Sequence, residues 1–243
     1  TISPQEKKLL SKEKPWGIIL FKRNIKSLNQ VKKLIIKIRK ITKDSKFPIM
    51  IDEEGKTVSR LSEIINHSLT QKFFGDLYNS HPKLSIAIYK NYIDNLCNLL
   101  NDIGVNINTV PLLDVLRKKT TKIIGERSFS NKVHIVKELG KVCINKYNAN
   151  KIATVIKHIP GHGCSRLDSH LELPKINLSY SELNKIDFEP FKFSKSKFAM
   201  TAHILYEKID GFNVATFSKK IISNIIRKKM AFKGILISDD ISM

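Results

Sequence analysis

No apolar run in this chain of 243 residues approaches the ~20 residues that a helix needs to cross a bilayer, so a membrane-spanning helix is not expected. Residues 1–11 are polar and charged, and no signal peptide is visible among them. Cysteine is scarce. Cys97, Cys143 and Cys164 are odd in number and lack metal-type spacing, which argues against a disulfide framework and for a reducing cytoplasm. No linker, internal repeat or low-complexity tract breaks the chain, so residues 1–243 read as a single domain.

Acidic side chains are also few: 22 Asp and Glu against 43 Lys and Arg, a net charge of +21. A clustered basic face would suit a polyanion, because binding releases counterions. The lysines do not cluster, however. Lys32, Lys33, Lys37 and Lys40 are typical, spread along a helical stretch among Ile and Asn. A genome biased towards A and T gives that composition, so a solvated basic surface is expected and a nucleic-acid partner is not. The hydrophobic fraction of 42% is that of an ordinary globular protein with a substantial core.

Six short apolar runs stand out, each ending on polar or charged residues. They are residues 17–21 before Arg23 and Asn24, 48–51 before Asp52, 105–110 leading to Asp114, 153–156 before Lys157 and His158, 198–202 before His203, and 234–237 before Ser238 and Asp239. Such Ile- and Val-rich runs suit strands buried on both faces. Between them lie helical patterns. Leu28, Val31, Leu34, Ile35, Ile38 and Ile41 recur at three- and four-residue spacing. Residues 84–103, 132–147 and 218–230 read similarly, and Ser179 with Glu182 has the spacing of a capping box. Alternating strand and helix predicts a parallel sheet with helical crossovers. Functional side chains at most of the strand ends favour a (β/α) barrel over an open sheet, whose ligand contacts gather at one switch point.

The densest chemistry lies in Lys157-His158-Ile159-Pro160-Gly161-His162-Gly163, followed by Asp168-Ser169-His170. Pro160 and the glycines exclude a helix, so this reads as a strand end spilling into a mobile loop. His158 and His162 have the spacing of a helical metal pair, but the helix that would align them is broken. A zinc site completed by Asp168 or His170 is one reading. A carboxylate orienting an imidazole, Asp168 with His170, is another. Asp239 and Asp240 close an apolar strand, as a solvated terminus, a helix cap, or a carboxylate nucleophile at a barrel mouth. The acidic turn Asp52-Glu53-Glu54-Gly55 is open between a metal site, a helix start and acceptors for sugar hydroxyls. Asp187 and Glu189 follow the capping motif and are expected at the surface.

Taken in order, these segments resemble family 3 glycoside hydrolases, in particular the bacterial β-N-acetylglucosaminidases of the NagZ type. The motifs are Gly17-Ile-Ile-Leu-Phe-Lys-Arg-Asn24, Ile51-Asp-Glu-Glu-Gly-Lys-Thr-Val-Ser-Arg-Leu61, Asn106-Ile-Asn-Thr-Val-Pro-Leu-Leu-Asp-Val115, Ile124-Gly-Glu-Arg-Ser-Phe129, Lys157 through His170, Met200-Thr-Ala-His203 and Ser238-Asp-Asp-Ile-Ser-Met243. The resemblance implies a (β/α)8 TIM-type barrel and a retaining hydrolase. Its substrate would be terminal N-acetylglucosamine on muropeptides in cytoplasmic peptidoglycan recycling. It implies Asp239 as the nucleophile and His170 with Asp168 as acid/base, where most retaining glycosidases use two carboxylates. Asp52, Arg60, Arg127, Lys157 and His158 match the sugar-binding positions, and no metal or organic cofactor is implied.

Some positions depart from the family pattern. The acidic turn, usually Glu-Gly-Gly-Arg, is Glu54-Gly55-Lys56-Thr57, and Glu126 stands where aspartate is usual. Family members carry a strand before the Gly17 segment and another strand with helices after Ser-Asp-Asp. The expectation is therefore a barrel truncated at both ends, with a second reading beside the enzyme: an inactive remnant that at most binds amino-sugars.

Overall fold

The computed structural model describes residues 2–167, 172–192 and 194–242. The chain opens on α1 (Pro4–Lys8), started by a capping box between Ser3 and Glu6, and a π-wound turn over Leu9–Glu13. β1 (Ile18–Leu20), α2 (Leu28–Thr42) and β2 (Ile49–Ile51) follow, then α3 (Gln71–Ser80), α4 (Pro82–Ile103) and β3 (Ile107–Asn108). Next come α5 (Val133–Ala149), β4 (Ala153–Ile159), β5 (Lys175–Ile176) and α6 (Tyr180–Lys185). The last elements are β6 (Phe198–Thr201), β7 (Leu205–Tyr206), a helix over Ile221–Lys229 and β8 (Ile235–Ser238).

All six apolar runs are strands of one sheet, ordered β1-β2-β3-β4-β6-β8 with every pairing parallel. Among the described residues β1 and β8 are edges, so the curled sheet is a half-barrel and not a closed ring. β5 and β7 form a separate parallel pair. The predicted helices are also present, and α6 carries the Ser179–Glu182 capping box. One differs in kind: the segment expected as an ordinary helix over 218–230 is wound as a π-helix over Ile221–Lys229, with Ile221, Ile225 and Ile226 buried.

The core explains the pattern. Val31, Ile35 and Ile38 of α2, and Leu96, Cys97, Leu100 and Ile103 of α4, are buried in the layer between helices and sheet. Each such side chain contributes about 1.5–3 kcal/mol of burial. A smaller cluster of Met50, Ile107, Val155, Phe198 and Met200 fills the concave side of the sheet. Lys32, Lys33, Lys37 and Lys40 stay exposed on the outer face of α2, as a solvated basic surface requires. Among the described residues no helix is long and apolar enough to cross a membrane.

Asp187 is not at the surface. It is fully buried and paired with Arg117. The capping motif placed α6 correctly, but Ile186, Asp187 and Phe188 turn inward behind it. The buried Asp187 carboxylate has its pKa raised by burial, which Arg117 offsets only in part. Glu189 is partly exposed and bridges Lys137 and Lys192.

Candidate active site

A cleft of ≈ 770 Å³ opens where the strands end at their carboxyl side, the end at which barrels of this kind gather ligand-binding groups. β2 delivers Asp52, the turn after it Glu54 and Arg60, the loop after β3 Arg127, β4 Lys157 and His158, and β8 Asp239; all of these line the cleft. Six of the eight residues singled out in the sequence are thus brought together. The other two, Asp168 and His170, lie outside the described residues.

Lys157 and His158 are consecutive in β4, and consecutive strand residues ordinarily point to opposite faces. Both nonetheless line the cleft. The pairing of β4 with β6 is irregular between Ile156 and Ile159, the kind of local interruption that re-aims a side chain. The strand runs to Ile159, so these two residues are part of the sheet and not of the loop beyond it.

The ionic groups form one connected network. Lys157 Nζ lies 2.6 Å from Glu54 Oε1, 3.3 Å from Asp52 Oδ1 and 2.9 Å from Thr109 Oγ1. Arg127 grips Glu54 with both prongs, Nε and Nη2 each donating at 2.8 Å. Arg60 Nη2 donates to Asp52 Oδ2 at 2.9 Å, and the Thr109 hydroxyl donates to Asp52 Oδ1. Burial opposes charge on both acids, but the cations outweigh it. Glu54 is brought down to about 2 by Arg127 and Lys157, and Asp52 is held well below the usual carboxylate range by Lys157, Thr109 and Arg60. Three cations against two anions leave donors free to face a polar ligand.

His158 is fixed from below. Its Nδ1 lies 2.8 Å from Asp114 Oδ2, and its Nε2 faces Asp239 Oδ2 at 3.9 Å. Burial raises the pKa of Asp114, and the contacts from His158 and His162 reverse this and lower it. The Asp239 side chain is 22% exposed, open to the cleft.

The loop after β4 is packed rather than loose in its first half, contrary to the expectation of a mobile segment. Ile159 through Gly163 are buried. Gly161 has φ +146, and a Cβ there would meet the Asp187 carbonyl oxygen at 2.5 Å; one at Gly163 would meet the Val115 carbonyl oxygen at 1.9 Å. Glycine is the residue that permits this approach. His162 is buried against His158, ring centroids 5.6 Å apart, and burial followed by its histidine neighbour pushes its pKa down to about 4. It is a neutral packing residue. Among the described residues, no group of three or more His, Cys, Asp or Glu is placed to hold a metal ion.

Three contributors escaped the sequence reading. Glu54 was visible only as part of an acidic turn, Thr109 carried no signal, and Asp114 was noted at a strand end with no partner assigned. The apolar wall formed by Ile19 and Phe21 follows from the first apolar run. Arg60 stacks over the Phe21 ring, 5.3 Å from its centroid, a favourable contact for a guanidinium.

Comparison with known proteins gives the family. A model of the glycosyl hydrolase family 3 N terminal domain matches residues 1–243. A beta-hexosaminidase of Haemophilus ducreyi is 34% identical over 247 residues, covering 100% of this chain and 70% of the relative. Beta-hexosaminidase A of Pseudoalteromonas piscicida is 29% identical, and this chain spans 44% of its length. The crystal structure of NagZ from Neisseria gonorrhoeae in complex with N-trifluoroacetyl-D-glucosamine superposes with a TM-score of 0.89 at 29% identity, covering 99% of this chain and 71% of that one.

Proposed function

The chain belongs to glycoside hydrolase family 3, and from that premise we propose that it is a retaining β-N-acetylglucosaminidase that removes terminal N-acetylglucosamine from muropeptides during cytoplasmic peptidoglycan recycling. The observation that carries the reading is the cleft itself: an open carboxylate, Asp239, shares one cavity with Asp52, Arg60, Arg127, Lys157 and His158. The half-barrel is read as part of a (β/α)8 barrel.

In the proposed mechanism Asp239 attacks the anomeric carbon as the glycosidic C–O bond breaks. His170, oriented by Asp168, gives its proton to the leaving oxygen. The glycosyl ester on Asp239 is then opened by water, whose proton returns to His170, and the freed carboxylate is ready for another cycle. Asp52 and the cations Arg60, Arg127 and Lys157 hold hydroxyls and the N-acetyl group, with His158 beside the nucleophile. Each of these is a strong donor or acceptor held at a strand end or in the loop that follows it, which suits a ligand made of hydroxyls. The two-step displacement needs no metal or organic cofactor.

Turnover of a chromogenic N-acetyl-β-D-glucosaminide, with Asp239→Ala as control, tests the reading; equal rates in the two proteins overturn it. Calorimetric binding of N-acetylglucosamine without turnover would make the chain an amino-sugar binder and not an enzyme.

A further inference from the structure

We infer that Asp114 is a positioning residue: it sets the tautomer of His158 so that Nε2 faces the nucleophile as an acceptor, and it anchors the loop that leads to Asp168 and His170. The inference rests on the proposed hydrolase for its kinetic consequence, but its structural content stands on the Asp114 contacts alone.

Asp114 is fully buried and receives three N–H donors on two oxygens. Oδ1 accepts from the His162 backbone at 2.6 Å and from the His158 backbone at 3.2 Å. Oδ2 lies 2.8 Å from His158 Nδ1. A carboxylate only accepts, so Nδ1 must carry the proton in this contact, and in the neutral ring Nε2 is then bare. Nε2 is the nitrogen that looks into the cleft, 3.9 Å from Asp239 Oδ2. That is too far for a direct hydrogen bond and leaves room for a sugar hydroxyl, which would donate to Nε2. With the opposite tautomer, an Nε2–H would face the Asp239 carboxylate and draw it away from the sugar.

The second role comes from His162. Its backbone N–H ties the chain to Asp114 directly after Gly161, whose carbonyl accepts from the Tyr206 hydroxyl, and the chain continues from there towards Asp168 and His170. One buried carboxylate therefore ties together the nucleophile's neighbour and the base of the loop carrying the acid/base pair.

Asp114→Asn is the discriminating change, because an amide has one accepting atom where the site needs two. The His162 backbone donor cannot reverse, whereas an imidazole can move its proton. The amide oxygen will therefore turn to His162 and its NH2 to His158 Nδ1, and the ring will carry its proton on Nε2. Two-bond 1H–15N correlation spectra of neutral His158 read this directly. The expected result is Nδ1–H in the parent protein and Nε2–H in Asp114→Asn. Nε2–H in the parent, or an unchanged tautomer in the variant, overturns the inference, and the parent spectrum decides it even where the variant fails to fold.

With an N-acetylglucosaminide substrate, Asp114→Asn should lower kcat/KM at least about tenfold, the scale of one misplaced buried hydrogen bond. That loss should shrink in a His158→Gln background, as for residues acting through one another. Equal losses in both backgrounds would refute action through His158. A parent protein without turnover would reject the hydrolase reading while leaving the tautomer result to judge Asp114.

Discussion

Lys157 Nζ stands 2.6 Å from Glu54 Oε1 with both side chains 3% exposed. This ammonium also reaches Asp52, so it neutralises two acids that arrive from the β2 end. Without Lys157, Glu54 keeps Arg127 and Asp52 keeps Arg60, so the loss is that of a buried charge-assisted contact and not of all compensation. Lys157→Met is expected to cost about 1.5–3 kcal/mol, read as a lower urea midpoint with an unchanged slope.

Asp239 is the proposed covalent partner of the sugar. Asp239→Asn keeps the shape, and its one amide oxygen can still accept from the Asp240 N–H, but it cannot form the glycosyl ester. Its kcat should fall by roughly a thousandfold or more, with thermal stability near that of the parent. Circular dichroism melts alongside a chromogenic assay check both parts.

Arg127→Lys preserves charge and loses the fork. Glu54 would keep one contact in place of the two donated at 2.8 Å, and a point charge does not reproduce bidentate geometry. A stability loss of about 1–3 kcal/mol is expected, measured by chemical denaturation, together with a rise in KM.

Acid should weaken the fold in two stages. The unfolded His162 titrates near its ordinary 6.5 while burial and His158 hold it at about 4 in the folded protein. The unfolded chain therefore takes up a proton first, and stability falls as pH drops from 6.5 through about 4. Glu54, lowered from 4.5 to about 2, extends the loss from 4.5 downwards. Melting temperature against pH should show this, and His162→Asn should flatten the upper stage.

Gly163→Ala tests the packed half of the loop. The new methyl would sit 1.9 Å from the Val115 carbonyl oxygen, so backbone must move. A destabilisation of about 1–3 kcal/mol is expected, with catalysis impaired because the same loop leads to His170. A parent-like denaturation curve would show that the loop yields easily.

The sequence by itself determined the sheet. Six apolar runs became six parallel strands; the central four are buried as expected, whereas the edge strands β1 and β8 leave Ile19 and Ile235 exposed. It also placed polar and charged side chains at the strand ends, and these line one cleft. It could not tell that Asp187 is buried, because the capping box fixes where α6 begins and not how the chain turns after it. Nor could it assign Asp114 to His158, 44 residues apart, since that pairing depends on β3 and β4 lying side by side. The joint exposure of Lys157 and His158 to one cleft was likewise decided only by tertiary structure. Strand alternation would separate them, and they meet in the cleft where the register of β4 against β6 is irregular.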